Sequence, residues 1–312
     1  MSSLLRRIGS VVISDTPSEP SIDIDQIPPT TELVDCNDCT QDCYDHPSYP
    51  SYLDIDTETE LLGSMKPYGR HVMIATGVTD WAEKIEEDTA TLAAQLHKVI
   101  NADPQYTNNQ PNGRIFITNT SMTNTYSTKG HDVLLLPENI LISNVTPEDA
   151  TEFYATFLDQ PLPLQPVQLS KICMQLRGSW QAYMNPSASM ILICSHRRRD
   201  KRCGVTAPIL AREFDHILRE HDIEEQGEKG TTVLMVSHVG GHKFAGNIIC
   251  YTHQGTRGIW YGRVNPGHCK QIVEDTILQG KVVKELYRGA MMHSYGPTSF
   301  TNSSTCPARI RW

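Results

Sequence analysis

No stretch of this chain is long and apolar enough to cross a bilayer: among its 312 residues, no run approaches the roughly 18–20 that a membrane helix needs. An excess of basic charge is missing too. The formal net charge is −9, which argues against a general nucleic-acid binder, since such a protein carries a basic footprint. Nor do the cysteines form a disulfide framework. There are nine, an odd number at uneven spacing, and without a secretory signal that favours thiols and metal ligands. Outside two loops considered below, no acid/base pair or activated nucleophile stands out. The hydrophobic content, 39%, is on the low side, yet strand-length apolar runs are present and the length suffices for two domains.

Met1-Ser-Ser-Leu-Leu-Arg-Arg-Ile-Gly-Ser-Val-Val-Ile13 has two arginines and no acid before Asp15, a pattern shared by mitochondrial presequences and frayed termini. Residues 1–65 are expected to be a mostly disordered segment: Pro17, Pro20, Pro28, Pro29, Pro47 and Pro50 stand among Asp, Ser and Thr without a period. Within it, Cys36, Cys39 and Cys43, with His46 three residues on, read either as a second metal site or as a flexible acidic segment bearing thiols. Asp35, Asp38 and Asp42 beside them would not lower a thiol pKa.

An α/β domain is expected over 66–165. His71–Ala75, Arg114–Thr118 and Asp132–Leu136 read as strands. The spacing of Ile85, Leu92, Leu96 and Ile100 predicts a helix from Trp81 to Ile100, capped by Thr79 or Asp80. Thr146-Pro-Glu-Asp opens another, to about Leu158. Residues 160–168 form a Pro-rich linker. The second domain, 170–290, carries strands at 189–193 and 231–236, a helix from Pro208 to about His221, an antiparallel pair at 247–252 and 258–262, and a helical segment from about Cys269 to Leu286. Its β-α-β-β-β-α order is that of a thioredoxin-like sheet. The first domain repeats it closely enough to suggest a degenerate duplication, so the fold class expected is α/β with two thioredoxin-like lobes. Residues 291–312 form a tail ending in Trp312.

Chemistry concentrates in two loops. Cys194-Ser-His-Arg-Arg-Arg-Asp-Lys-Arg-Cys203-Gly-Val-Thr-Ala-Pro208 follows the first strand of the second domain, and Ser237-His238-Val-Gly-Gly-His242-Lys-Phe-Ala-Gly-Asn247 follows the second. Cys194 and Cys203 have eight residues between them, Cys203 and His238 have 34, and His238 and His242 have three. Structural zinc sites pair cysteines two to four apart, whereas a wide loop suits a two-iron cluster, in which imidazoles can replace thiolates and raise the potential. A diferric 2Fe-2S core formally carries two positive charges; two thiolates cancel them, where four would leave an excess of negative charge opposing reduction. An imidazole also has a second ring nitrogen that can exchange a proton near neutral pH. Gly204, Gly240 and Gly241 allow close backbone approach, and a helix opening at Pro208 would turn its positive end toward Cys203. Arg197, Arg198, Arg199, Lys201 and Arg202 read as a solvated loop or as a docking patch for an acidic electron donor. Cys173, Cys250, Cys269, Cys306, His196, His253 and His268 lack such partners and read as structural.

Cys-Ser-His-x-x-Arg-Asp-Lys-Arg-Cys-Gly-x-Thr-Ala-Pro, followed by His-Val-Gly-Gly-His-Lys-Phe-Ala, resembles the sucrase/ferredoxin-like family over about residues 189–265. The resemblance implies that the C-terminal lobe is a thioredoxin-like ferredoxin domain holding a 2Fe-2S cluster through Cys194, Cys203, His238 and His242. Trp312 is similar to the terminal residue by which some cytosolic iron–sulfur proteins are recognised by the assembly machinery. That implies a cytoplasmic protein, the nucleus being a further compartment and the mitochondrion the alternative. The partners expected are a flavoprotein-type reductase or other acidic redox protein and the assembly machinery, with no nucleic acid and no membrane. No flanking carboxylate pair supports a sucrase, and a non-enzymatic electron carrier is favoured over an enzyme. Two rivals stay open: a structural zinc-binding interaction protein, and a thiol redox or quality-control factor of mitochondria using Cys36 and Cys39.

Overall fold

The apolar runs form two similar sheets, joined edge to edge. The computed structural model describes residues 28, 31–36, 46–104, 106, 113–163 and 167–295. In the first lobe β1 (Arg70–Ala75), β2 (Ile115–Thr120), β3 (His131–Leu136) and β4 (Ile140–Val145) precede the edge strand β5 (Gln181–Met184). Helix α1 (Leu92–Ala102) connects β1 to β2, and a helical stretch around α2 (Ala150–Phe153), tightened before it and widened after it, follows β4. Then come α3 (Leu169–Cys173) and the second lobe: β6 (Ser187–Cys194), α4 (Lys201–Glu220), β7 (Gly227–Val236), β8 (Ile248–Thr252), β9 (Arg257–Tyr261), α5 (Pro266–Gln271) and β10 (Tyr287–Ala290).

Pairing repeats in the two lobes. β1 is parallel to β2 and antiparallel to β3, which pairs antiparallel with β4; β6 is parallel to β7 and antiparallel to β8, which pairs antiparallel with β9. The order is therefore β2-β1-β3-β4-β5 in one and β7-β6-β8-β9-β10 in the other, a ten-stranded sheet in which β2 meets β7. The duplicated thioredoxin-like architecture expected from the sequence is present. No helix among the described residues is long and apolar enough to cross a membrane.

The two sheets meet at one register pair, Thr120 with Val236. Just beyond it the Ser121 amide donates to the Met235 carbonyl (2.8 Å) and the Ser237 amide to the Asn119 carbonyl (2.9 Å). So short a backbone seam needs support from side chains. Alternation along a strand sends successive residues to opposite faces: Ile191 and Ile193 enter the core of the second lobe, while Met190, Leu192 and Cys194 enter a cluster shared with Met73, Phe116 and Leu134 of the first. A buried polar chain crosses this shared cluster. Trp260 donates to Tyr68 Oη (2.9 Å), Tyr68 and Tyr251 share a hydrogen bond (2.6 Å), and His71 bridges Tyr251 Oη (2.8 Å) and Thr118 Oγ1 (2.9 Å).

Burial, with the Arg114 charge adding to it, holds His71 well below its ordinary pKa. Its folded state is neutral, whereas the unfolded chain takes up a proton near pH 6.5. The stability it contributes is thus present above about pH 6.5 and lost as pH falls below that value, by up to ~1.4 kcal/mol per pH unit. Denaturant midpoints compared for wild type and His71→Gln should converge as pH drops from about 7.5 to 5.5; a gap that does not change with pH would contradict this.

Several boundaries differ from the sequence expectations. The helix predicted over 81–100 starts only at Leu92, with Thr91 Oγ1 capping the Ala94 amide (3.3 Å). Residues 79–83 instead pack on the second lobe, as described below. The strand at 140–145 was not expected. The helical segment predicted for 269–286 stops at Leu278, and Gly280, at φ 71°, turns the chain. Val282–Val283 then lie parallel to Leu33–Val34. Part of the Pro-rich segment packs on the second lobe: His46 Nδ1 meets Glu213 Oε1 (2.6 Å), Tyr49 Oη donates to the Val264 carbonyl (2.7 Å), and the Asp56 amide donates to the Lys243 carbonyl (2.9 Å). Cys39, Cys43, Cys306, Trp312 and residues 1–13 lie outside the described residues.

Candidate metal centre

Both loops leave the sheet at the seam. β6 ends at Cys194, whose amide donates to the Asn247 carbonyl (3.0 Å), and the Ser195 amide donates to the Val236 carbonyl (3.1 Å). The next residues turn sharply, the Asp200 amide donating to the His196 carbonyl (3.0 Å). Asp200 then caps α4, accepting from the Arg202 amide (2.9 Å). The helix therefore opens at Lys201, seven residues before the expected Pro208, and Pro208 lies inside it. Cys203 is consequently in the first turn of a helix and not in a loop, nearer the positive end than expected. Gly204 has no room for a side chain: a Cβ there would lie 2.4 Å from Arg197 Cβ.

Cys194 and Cys203 are both buried. Donation from Cys203, opposed by burial and helped by His238 and the Val239 amide, pulls the Cys194 thiol well below its ordinary pKa. The Cys203 thiol is pushed up by that same hydrogen bond, by burial and by the neighbouring negative charge. His238 lies against Cys194, and its buried Nδ1 has no hydrogen-bond partner among the described residues. The His238 and His242 rings are 5.5 Å apart. His242 is 46% exposed, with Nε2 4.0 Å from Asp200 Oδ2; burial holds it below its ordinary pKa, and Asp200 opposes that. Cys194 and Cys203 are thus sealed in the core, with His238 against Cys194 and the His242 ring beside that of His238, reaching solvent. Among the described residues no three Cys, His, Asp or Glu side chains gather as a single-ion shell; the donors stand as two pairs. Their chemistry fits a two-iron centre, to which each pair would bring two ligands, and the orphaned Nδ1 is a donor in want of a partner.

A match to the family model for sucrase/ferredoxin-like proteins covers residues 61–289, both lobes and both loops. The chain belongs to the sucrase/ferredoxin-like family. One relative is altered inheritance of mitochondria protein 32 of Meyerozyma guilliermondii, 27% identical over 260 residues, 78% of this chain and 88% of that protein. Another is actin patches distal protein 1 of Saccharomyces cerevisiae, 30% identical over 239 residues, 72% of this chain and 74% of that one. Among solved structures, a thioredoxin-like [2Fe-2S] ferredoxin from Aquifex aeolicus is 18% identical with a TM-score of 0.26, covering 32% of this chain and 96% of that one.

This member of the sucrase/ferredoxin-like family also has residues at the centre that sequence reasoning passed over. His196, expected to be structural, links the lobes: its Nε2 donates to the Trp81 carbonyl (3.1 Å) and its Nδ1 accepts from the His238 amide (3.1 Å). Ser195 Oγ donates to the Thr79 carbonyl (2.6 Å) and the Arg198 amide to Asp80 Oδ1 (3.0 Å). The only sequence signal was adjacency to Cys194. Arg288 is fully buried beneath the His238–His242 loop, with no prior pattern to mark it. Much of the basic run is answered within the molecule: Arg198 lies 3.7 Å from Asp80, Arg199 3.8 Å from Glu83, and Arg202 2.8 Å from Asp200. Cys250 and Cys269 are core residues, Cys173 is exposed, and Cys36 is half-buried with its amide on Glu285 (2.7 Å).

Proposed function

We propose that this chain is an electron-transfer protein whose second lobe holds a 2Fe-2S cluster through Cys194, Cys203, His238 and His242. The observation that carries this reading is a pair of buried cysteines with His238 against Cys194 and the His242 ring 5.5 Å from that of His238. When bound, such a cluster takes up and releases one electron. Cys194 and Cys203 would supply the two anionic sulfurs, and the first turn of α4 and the Val239 amide favour the anionic form. His238 and His242 would bring no charge, and each keeps a second ring nitrogen that can hold a proton. Exposure of His242 supports electron entry from that side, the thiols being sealed by the shared core.

The partner would be a flavoprotein-type reductase or another acidic redox protein, approaching across His242 and Arg198, which is 69% exposed. Assembly through Trp312 and a cytoplasmic setting, with the mitochondrion as alternative, belong to the same proposal. Protein purified without oxygen should be red-brown, with about two iron and two labile sulfide per chain. A colourless protein with stoichiometric zinc would replace this reading with a structural zinc site.

A further inference from the structure

Buried arginines need an anion, because desolvating a guanidinium against neutral acceptors alone is costly. The first lobe obeys the rule: Arg70, 2% exposed, is paired with Glu138. The second lobe does not. Arg288 is fully buried, and its partners are Ser64 Oγ (2.9 Å), the Ser64 carbonyl (2.8 Å), the Gly240 carbonyl (3.2 Å) and Asn247 Oδ1 (2.7 Å). All are neutral, and among the described residues no carboxylate pairs with it. Its guanidinium also lies 5.4 Å from the Phe244 ring centre and 5.7 Å from that of Trp260. The loop above leaves room for it: Gly241, at φ 67°, would place a Cβ 2.3 Å from Arg288 Nη2. Burial pulls the guanidinium down to about 10, still protonated at neutral pH, and the negative charge of the Cys194–Cys203 pair opposes the fall.

We infer that Arg288 is the built-in counter-charge of the centre, a fixed cation under the His238–His242 loop that favours the reduced over the oxidised form and so raises the potential. The inference rests on the proposed cluster reading. One electron from a one-electron donor adds one negative charge to the centre; no bond of Arg288 forms or breaks. Two thiolates neutralise only the oxidised core, so the extra charge of the reduced form meets an unpaired cation already in place. A water-filled site would have to reorient solvent to the same end.

The test is a redox titration of the full-length, cluster-loaded protein with its Arg288→Gln, Arg288→Lys and Asn247→Asp variants, followed by visible absorbance. Held at the wild-type midpoint, Arg288→Gln should show a reduced-to-oxidised ratio about tenfold lower, ~59 mV for a one-electron couple. Arg288→Lys keeps the charge and should move the ratio far less. Asn247→Asp places a carboxylate on Nη1 within the same packing and should lower the ratio as Arg288→Gln does. If Arg288→Gln does not fold, Asn247→Asp decides. A wild-type ratio in a cluster-loaded Arg288→Gln or Asn247→Asp protein would overturn the inference, as would equal shifts in Arg288→Lys and Arg288→Gln, which would make the residue a structural pin. Absence of iron and sulfide from the unmutated protein is a different result, visible before any variant is made; it removes the cluster reading and this inference together.

Discussion

Cys203→Ala is expected to yield a folded, colourless protein with iron and sulfide at background. Cys203 is the third residue of α4 and fully buried, and alanine is the residue a helix tolerates best, so the substitution removes a sulfur with little damage to the backbone. Loss of the cluster should nevertheless be complete, because the thiols act as a pair: with Cys203 gone, Cys194 loses the donor that most lowers its pKa and a single thiolate is left for two irons. Cys250→Ala is the matched control. Cys250 is as deeply buried, in β8, yet burial pushes its thiol up and it lies in the second-lobe core apart from the cluster that holds Cys194 and Cys203. It should keep its iron. Iron retained in the first variant would contradict ligation by Cys203, and iron lost equally from both would show that thiol burial and not ligation matters there.

The next largest effect is expected from His242→Cys. A third thiolate adds a negative charge that opposes reduction, so the cluster should persist while its potential falls. Plant-type centres with four cysteines lie near about −400 mV and His-ligated Rieske centres at roughly −150 to +300 mV, which sets the scale of the drop at on the order of 100 mV. The dependence of potential on pH should weaken as well, since one imidazole fewer is there to take up a proton. His242 is the member of the set to change because it is half-exposed, so the substitution leaves the shared core undisturbed. A potential that does not move would refute the role given to the imidazoles.

Much of this was legible in the sequence because the governing interactions are local. Apolar runs ending in Cys194 and Val236 marked two adjacent buried strands, and their parallel pairing brings both loops to one end of the sheet. What was not legible depended on partners far away in the chain. Residues 79–91 have helix-compatible spacing, but Thr79, Asp80 and Trp81 bond to Ser195, Arg198 and His196, and those contacts override a weak local preference. The start of α4 was misplaced because Pro208 is a strong helix-opening signal, while the true cap, Asp200, sits in a charged run that reads as loop. The packing of residues 46–65 follows from single contacts such as Tyr49 with Val264, which leave no periodic trace. Arg288 stands in an unremarkable stretch, and only the three-dimensional lack of a carboxylate sets it apart.

The most direct measurement is pulsed EPR of the reduced protein grown with nitrogen-15 histidine. Two strongly coupled nitrogens, one of them lost in His238→Cys and one in His242→Cys, are the expected result. A reduced iron–sulfur signal without histidine coupling, or no such signal from protein prepared without oxygen, would contradict a centre shared by two sulfurs and two imidazoles.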